Sequence, residues 1–182
     1  VKRFAASADD LNVSSAVMES HQKNAGGNAR IAETMFRYFR FPMDFGPFVY
    51  LSQIQQGLAI KTAIEYWRST KPRCMGTLFW QINDIWPVAS WSSLDYGGGW
   101  KLLHHMARRF FQPVVVTVVP NGARAFQLTG VNDTAEPVGI DVIIEAVTLA
   151  GSRRPLGRIE THVPTDVAMP VDAPDIKRRA VE

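Results

Sequence analysis

The segment CMGTLFWQINDIWPVASWSSLDYGGGW, residues 74–100, holds four of the chain's five tryptophans. Its first part, Met75 to Trp80, is a short and nearly continuous apolar run, the composition of a strand buried on both faces. The remainder sets indoles among Asn, Asp, Ser and Gly, where a core would use Leu and Val. Trp carries a large apolar face and a single N–H, so it suits surfaces that are part packed and part wet. What flanks this segment decides the fold.

Upstream, Gly26-Gly27-Asn28 can cap a helix over Ala29 to Arg40, where Ile31, Met35 and Phe39 recur at helical spacing and Pro42 stops the run. Pro47 sits where a helix N-terminus accepts it, and Phe48 to Ser69 has no further breaker except Gly57. Leu51, Ile54, Leu58 and Ala59 form its apolar stripe, with Gln53, Gln56 and Lys61 off it. Lys71-Pro72 ends this long helix. Downstream, Trp100 to Phe111 returns to helix, with Leu103, Ala107 and Phe110 on one side. Helix, buried strand, long loop and helix is the order in which an α/β fold ends.

From Pro113 the pattern changes to period two and β-branched residues, over Val114–Val119, Ala125–Val131, Val138–Leu149 and Arg158–Val163. Turn signals separate these runs at Pro120-Asn121-Gly122, Asn132-Asp133, Ala150-Gly151-Ser152 and Pro164. Short strands at this spacing suggest an antiparallel sandwich. The polar, ragged stretch 173–182 suggests that it is truncated. The expected division is therefore residues 1–112, the C-terminal portion of an α/β domain, and 113–182, a β-sandwich.

Composition narrows the function. With 182 residues, 46% hydrophobic and 20% charged, the chain is ordinarily globular. Its net charge of +3 is spread thinly. Residues 1–112 hold 13 Lys and Arg against 8 Asp and Glu, and residues 113–182 hold 7 against 9. No basic stripe or aromatic platform for nucleic acid emerges. No run of eighteen apolar residues suggests a membrane span. The start, VKRFAASADDLNVSS, lacks a signal peptide's apolar core and an initiator Met, as a piece of a longer chain would. The single Cys74 cannot form an internal disulfide, and a small buried apolar role is expected for it. The four histidines have no zinc spacing; His104 and His105 are adjacent and diverge on a helix, so neither metal nor cofactor is expected.

If the strand before Trp80 belongs to a parallel barrel, its C-terminal end and the following loop face the ligand side. Trp80, Gln81, Asn83 and Asp84 occupy that place. An indole can stack on the C–H face of a sugar while Asn and Asp take its hydroxyls. The same tryptophans could equally pin the loop to the body, the reading favoured for Trp67 and Trp100.

The stretch CMGTLFWQINDIWPVASWSSLDYGGGWKLLHHMARRFFQPV, residues 74–115, closely resembles the last barrel strand, loop and helix of the β-mannosidases of glycoside hydrolase family 2. VMESHQKNAGGNARIAETMFRYFRFP and YLSQIQQGLAIKTAIEYWR are similar to the same family, and VNDTAEPV resembles its following immunoglobulin-like domain. The resemblance implies the last portion of a (β/α)8 TIM barrel followed by an immunoglobulin-like β-sandwich. It further implies a retaining exo-glycosidase acting on terminal β-D-mannose through two glutamates held roughly 5 Å apart. Both would lie upstream, since Glu19, Glu33 and Glu65 match no nucleophile motif. A complete barrel needs about 250 residues, so this chain would hold no catalytic residue and be inactive alone.

The resemblance carries over binding residues only. Trp80 matches the floor of the terminal-sugar subsite, and the Trp80–Gln81 peptide bond is expected to be cis. Asn83 and Asp84 would line or brace the same rim, and His21 and Gln22, in a loop, could reach the same face. Trp86, Trp91 and Tyr96 are expected to pack the loop. The implied partners are a β-mannoside or related oligosaccharide and the upstream part of the same polypeptide, with self-association where barrel edges are bare.

The competing readings are a non-catalytic carbohydrate-binding module and a purely structural β-sandwich module. Exact sugar specificity and cellular compartment are open. Asn12-Val-Ser14 and Asn132-Asp-Thr134 match glycosylation acceptors, which count only in a secreted protein.

Overall fold

The computed structural model describes residues 5, 7–123 and 125–172. Four helices precede five strands: α1 (Ala16–Ser20), α2 (Gly27–Phe36), α3 (Phe45–Arg68), α4 (Leu102–Phe110), β1 (Val114–Pro120), β2 (Phe126–Asn132), β3 (Val138–Val147), β4 (Arg153–Val163) and β5 (Val167–Val171). The chain divides into two compact units. One runs to Lys61 and adds Leu78–Arg108; the other takes Thr62–Thr77 and everything from Arg109 on.

In the first unit, α2 starts where Gly26, at φ +68°, turns the chain through the left-handed region. It ends at Phe36, four residues short of the expected Arg40, in the turn N–H bonds of Tyr38 and Phe39 to the Met35 carbonyl. The long helix α3 begins three residues earlier than expected and holds Pro47 in its first turn, where no intrahelical N–H is needed. Its inward face differs from the expected stripe. Leu58 is 47% exposed and Ala59 is exposed, whereas Gly57 is buried. Gly57 faces the Met106 side chain of α4, whose Sδ would stand 2.5 Å from a Cβ placed there. Gln53 lies on the same side, and its Oε1 accepts the Leu102 N–H at 3.0 Å, capping α4. Leu103 and Ala107 are buried on α4 as their spacing predicted.

In the second unit the β-rich reading holds, with additions. β1, β2 and β5 form an antiparallel sheet in the order β1-β2-β5, and β3 pairs with β4. β2 is central, and its Leu128 and Val131 are buried. β4 starts five residues earlier than expected: a bulge at Leu156, opposite Ile144 and Glu145, shifts the register so that Pro155 faces Glu145 and pairing continues to Arg153. The short β5 was not anticipated. Residues 173–182, expected to be ragged, lie outside the described residues.

One expected element is absent. Met75–Trp80 forms no strand, and Leu78 is 94% exposed. A buried parallel strand needs hydrogen-bonded neighbours on both sides. Among the described residues none pairs with this segment, and the sheets present are antiparallel with no barrel.

Asn132, at the end of β2, explains the motif VNDTAEPV. Its residue is fully buried. Its Nδ2 donates to the carbonyls of Glu136 (2.8 Å), Pro164 (3.0 Å) and Val163 (3.3 Å), and its Oδ1 accepts from the Thr134 N–H and hydroxyl. With both amide protons committed, this side chain ties two turns together and is not the open acceptor that a glycan requires. Asn12, in the other triplet, is exposed.

Beside it, Asp133 accepts from Arg68 at 2.7 Å and from Lys71, and Lys71 also bonds Asp166 at 2.8 Å. Burial works against the Asp133 carboxylate, yet the Lys71 bond and the Arg68 charge outweigh it and hold the carboxyl below its ordinary range. Burial likewise opposes the Lys71 charge, and the two aspartates more than offset it, raising the ammonium pKa.

Candidate functional site

The loop from Trp80 to Trp100 is bent back on itself by main-chain bonds. The Ser93 N–H bonds the Gln81 and Ile82 carbonyls at 3.0 and 3.1 Å, and the Leu94 N–H bonds the Ile82 carbonyl at 2.7 Å. Leu94 in turn bridges Asn83 on one side and Trp100 on the other. That last bridge keeps Trp100 out of α4, which starts two residues later than expected. Trp80 projects from the head of the loop with 75% of its surface exposed, and the Trp80–Gln81 peptide is cis as expected. Asn83 is also exposed, its Nδ2 reaching only the Asp84 carbonyl at 3.4 Å.

Asp84 has a different setting. Its side chain is fully buried, and it accepts from the Ser92 hydroxyl at 2.5 Å, the Ser90 hydroxyl at 2.6 Å and the Lys101 ammonium at 3.3 Å. Lys101 also donates to Ser92 Oγ at 2.7 Å. Burial disfavours the Asp84 charge, but the two hydroxyls and Lys101 overcome it and hold the carboxyl below its ordinary range. The same burial lowers the Lys101 pKa despite the pull of Asp84 and Asp95. The pair is therefore held together from the carboxylate side, which collects three donors. Asp84 is thus engaged by Ser90, Ser92 and Lys101 beneath the loop.

His21 and Gln22 meet the same loop further along. The Ala89 N–H donates to the His21 carbonyl at 2.7 Å, the Lys23 N–H donates to the Ala89 carbonyl at 3.3 Å, and His21 Nδ1 donates to the Pro87 carbonyl. Gln22 Nε2 donates to Asn28 Oδ1, and a Cβ on the neighbouring Gly27 would collide with Gln22 Oε1 at 2.5 Å. Both side chains line a cavity of about 660 Å³, with Met18, Phe48 and Trp91 among its walls. Trp80, Asn83 and Asp84 do not line it. The five residues singled out by sequence thus fall into three settings on one loop system: an exposed head, a buried brace and a cavity wall.

Trp86 stacks on His21, with ring centroids 6.1 Å apart, and the Lys23 ammonium sits 5.8 Å from the Trp91 ring. Both are loop-packing contacts, as expected. Trp67 and Trp100, expected to be packed, are 42% and 51% exposed. Of the glutamates, Glu19 accepts from Asn28 and the Gly26 N–H, and Glu33 pairs with Arg37. Cys74 is half-buried, its thiol donating to the Gly76 carbonyl at 3.4 Å. No group of His, Cys, Asp and Glu able to hold a metal occurs among the described residues. Ser90, Ser92 and Lys101 were not singled out by sequence; the only hint was that polar residues recur in a loop that buries one carboxylate.

No protein-family model matches the chain. It is 37% identical over 122 residues to a β-mannosidase of Capra hircus, which covers 60% of this chain and 14% of that protein. It is 32% identical over 108 residues to β-mannosidase A of Aspergillus niger, covering 54% and 12%. The crystal structure of a β-D-mannosidase from Dictyoglomus thermophilum superposes with a TM-score of 0.88 at 34% identity, covering all of this chain and 22% of that one. The chain therefore spans a small part of each of these proteins.

Proposed function

We infer a role from that kinship: the chain is a C-terminal region of the glycoside hydrolase family 2 β-mannosidase type, and in the whole protein it completes the sugar subsite of a retaining exo-β-mannosidase. In this reading Met75–Trp80 is the last strand of the (β/α)8 barrel, paired only when upstream strands flank it, and residues 113–182 belong to the immunoglobulin-like sandwich that follows it in the chain. The two catalytic glutamates lie upstream, and this chain supplies binding.

Trp80 is the floor on which the terminal mannose stacks. Asn83 offers an exposed amide for the ring hydroxyls, Asp84 braces the rim, and His21 and Gln22 shape the adjoining loop. What supports this most is a bulky indole left 75% exposed at the head of a loop whose backbone is otherwise tied down. An exposed aromatic on a rigid support loses little conformational entropy when a ligand covers it.

The test is turnover of an aryl β-mannoside by the intact protein. Trp80→Ala should lower kcat/KM by about a hundredfold or more, since stacking of one ring contributes roughly 1 to 3 kcal/mol and orients the reacting bond besides. The product's first-formed anomer, followed by NMR, should retain configuration. Equal turnover by the Trp80→Ala protein, or an inverted first product, would remove the proposal.

A further inference from the structure

The Ser93 hydroxyl is fully buried and has two neighbours. It lies 3.0 Å from the Ile82 carbonyl and 2.9 Å from His104 Nδ1. A hydroxyl has one proton to give and lone pairs to receive with, and a carbonyl can only accept. In this geometry the Ser93 hydroxyl donates to the Ile82 carbonyl. His104 must then be the donor to Ser93 Oγ, which requires a proton on Nδ1.

The ring is also boxed in. Trp100 meets it edge-on with centroids 4.4 Å apart. Its helix is anchored by the neighbouring buried Leu103 and Ala107. Turning the ring over would put a carbon where Nδ1 stands and leave Ser93 without its donor. The Ile82 carbonyl that receives the Ser93 hydroxyl is the one that also receives the Ser93 and Leu94 N–H groups. It is two residues from Trp80 and one from Asn83.

We propose that His104 is a positioning residue: protonated at Nδ1, it aims the Ser93 hydroxyl at the Ile82 carbonyl and so sets the bend that presents Trp80 and Asn83. It touches no sugar itself, and the assignment rests on the reading of Trp80 as the sugar's floor. The tautomer rests on the Ser93 hydroxyl donating to Ile82 and is independent of that reading.

Three measurements separate the two. In the ¹⁵N NMR spectrum of this chain, the neutral His104 ring should show a protonated Nδ1 and a bare Nε2; the opposite tautomer overturns the proposal. Amide exchange at Ser93 and Leu94 should quicken about tenfold in His104→Leu, the worth of one net hydrogen bond, and return to normal in His104→Asn. The Asn amide nitrogen occupies nearly the place of Nδ1. Unchanged exchange in His104→Leu overturns the proposal. If that variant fails to fold, His104→Gln takes its place, because its amide reaches one bond too far and should quicken exchange where Asn does not.

In the intact protein, kcat/KM for an aryl β-mannoside should fall about tenfold in His104→Leu and be restored by Asn. Wild-type turnover with a fully active His104→Leu variant overturns the positioning role. Absence of turnover in the wild type overturns the mannosidase reading instead, while the tautomer and exchange results still decide what His104 holds.

Discussion

Replacing Asp84 by alanine should destabilise the first unit far more than a loop substitution ordinarily does. The carboxylate is fully buried and Lys101 is only 14% exposed, so the variant leaves an ammonium in a site built around its counterion. Removing one partner of a buried pair costs about 3 to 5 kcal/mol. Lys101 keeps the Ser92 hydroxyl at 2.7 Å and some access to water, which puts the expected loss near the lower bound, about 3 kcal/mol. Urea unfolding followed by tryptophan emission would measure it, because four of the five indoles lie in the loop this brace secures. The double variant Asp84→Ala/Lys101→Met has no orphaned charge and should recover at least about 1.5 kcal/mol of the loss. A single-variant loss within about 0.5 kcal/mol, the range of an unengaged surface site, would refute the reasoning, as would simple additivity in the double variant.

Asn132→Ala should cost about 3 kcal/mol in the second unit, since it strips donors from the Glu136, Val163 and Pro164 carbonyls at once; circular dichroism during denaturation would register it. Gly130→Ala should cost about 1 to 3 kcal/mol by overpacking, because its Cβ would stand 2.7 Å from the Cγ2 of the fully buried Val163. The depressed carboxyls of Asp84 and Asp133 give stability that is present above their ordinary value of 3.8 and lost as pH falls through their lowered folded values. Lys71, raised from 10.5, gives stability that is present below that value and lost as pH rises through its folded one. Thermal melts from pH 2 to 5 should therefore fall less steeply in Asp133→Asn than in the wild type; parallel curves would show that the cluster carries no linked proton.

Helix and strand identity was readable wherever local periodicity governs. The runs that became β1, β2 and β3 alternate β-branched residues, and Leu103 and Ala107 are buried as their spacing required. Misreadings occurred where a distant partner decides. On α3, Gly57 is buried beside Met106 of α4 while Leu58 is exposed. β4 extends through Pro155 because a bulge at Leu156 resets the register, and β5 forms because β2 offers it a free edge. Met75–Trp80 has a strand's composition but no ladder partner among the described residues.

By itself the sequence determined the α2, α3 and α4 helices and the runs that became β1 to β3, that Trp80 and Asn83 follow an apolar run, and the likeness to β-mannosidases. Those properties reside in neighbours a few residues apart and in composition. Only the tertiary structure showed that Asp84 is buried against Ser90, Ser92 and Lys101, that Asn132 is a buried knot rather than an open glycan acceptor, and that the Ser93 hydroxyl stands between His104 and the Ile82 carbonyl. In each case the setting is fixed by hydrogen bonds between residues 8 to 32 positions apart. No local pattern records them.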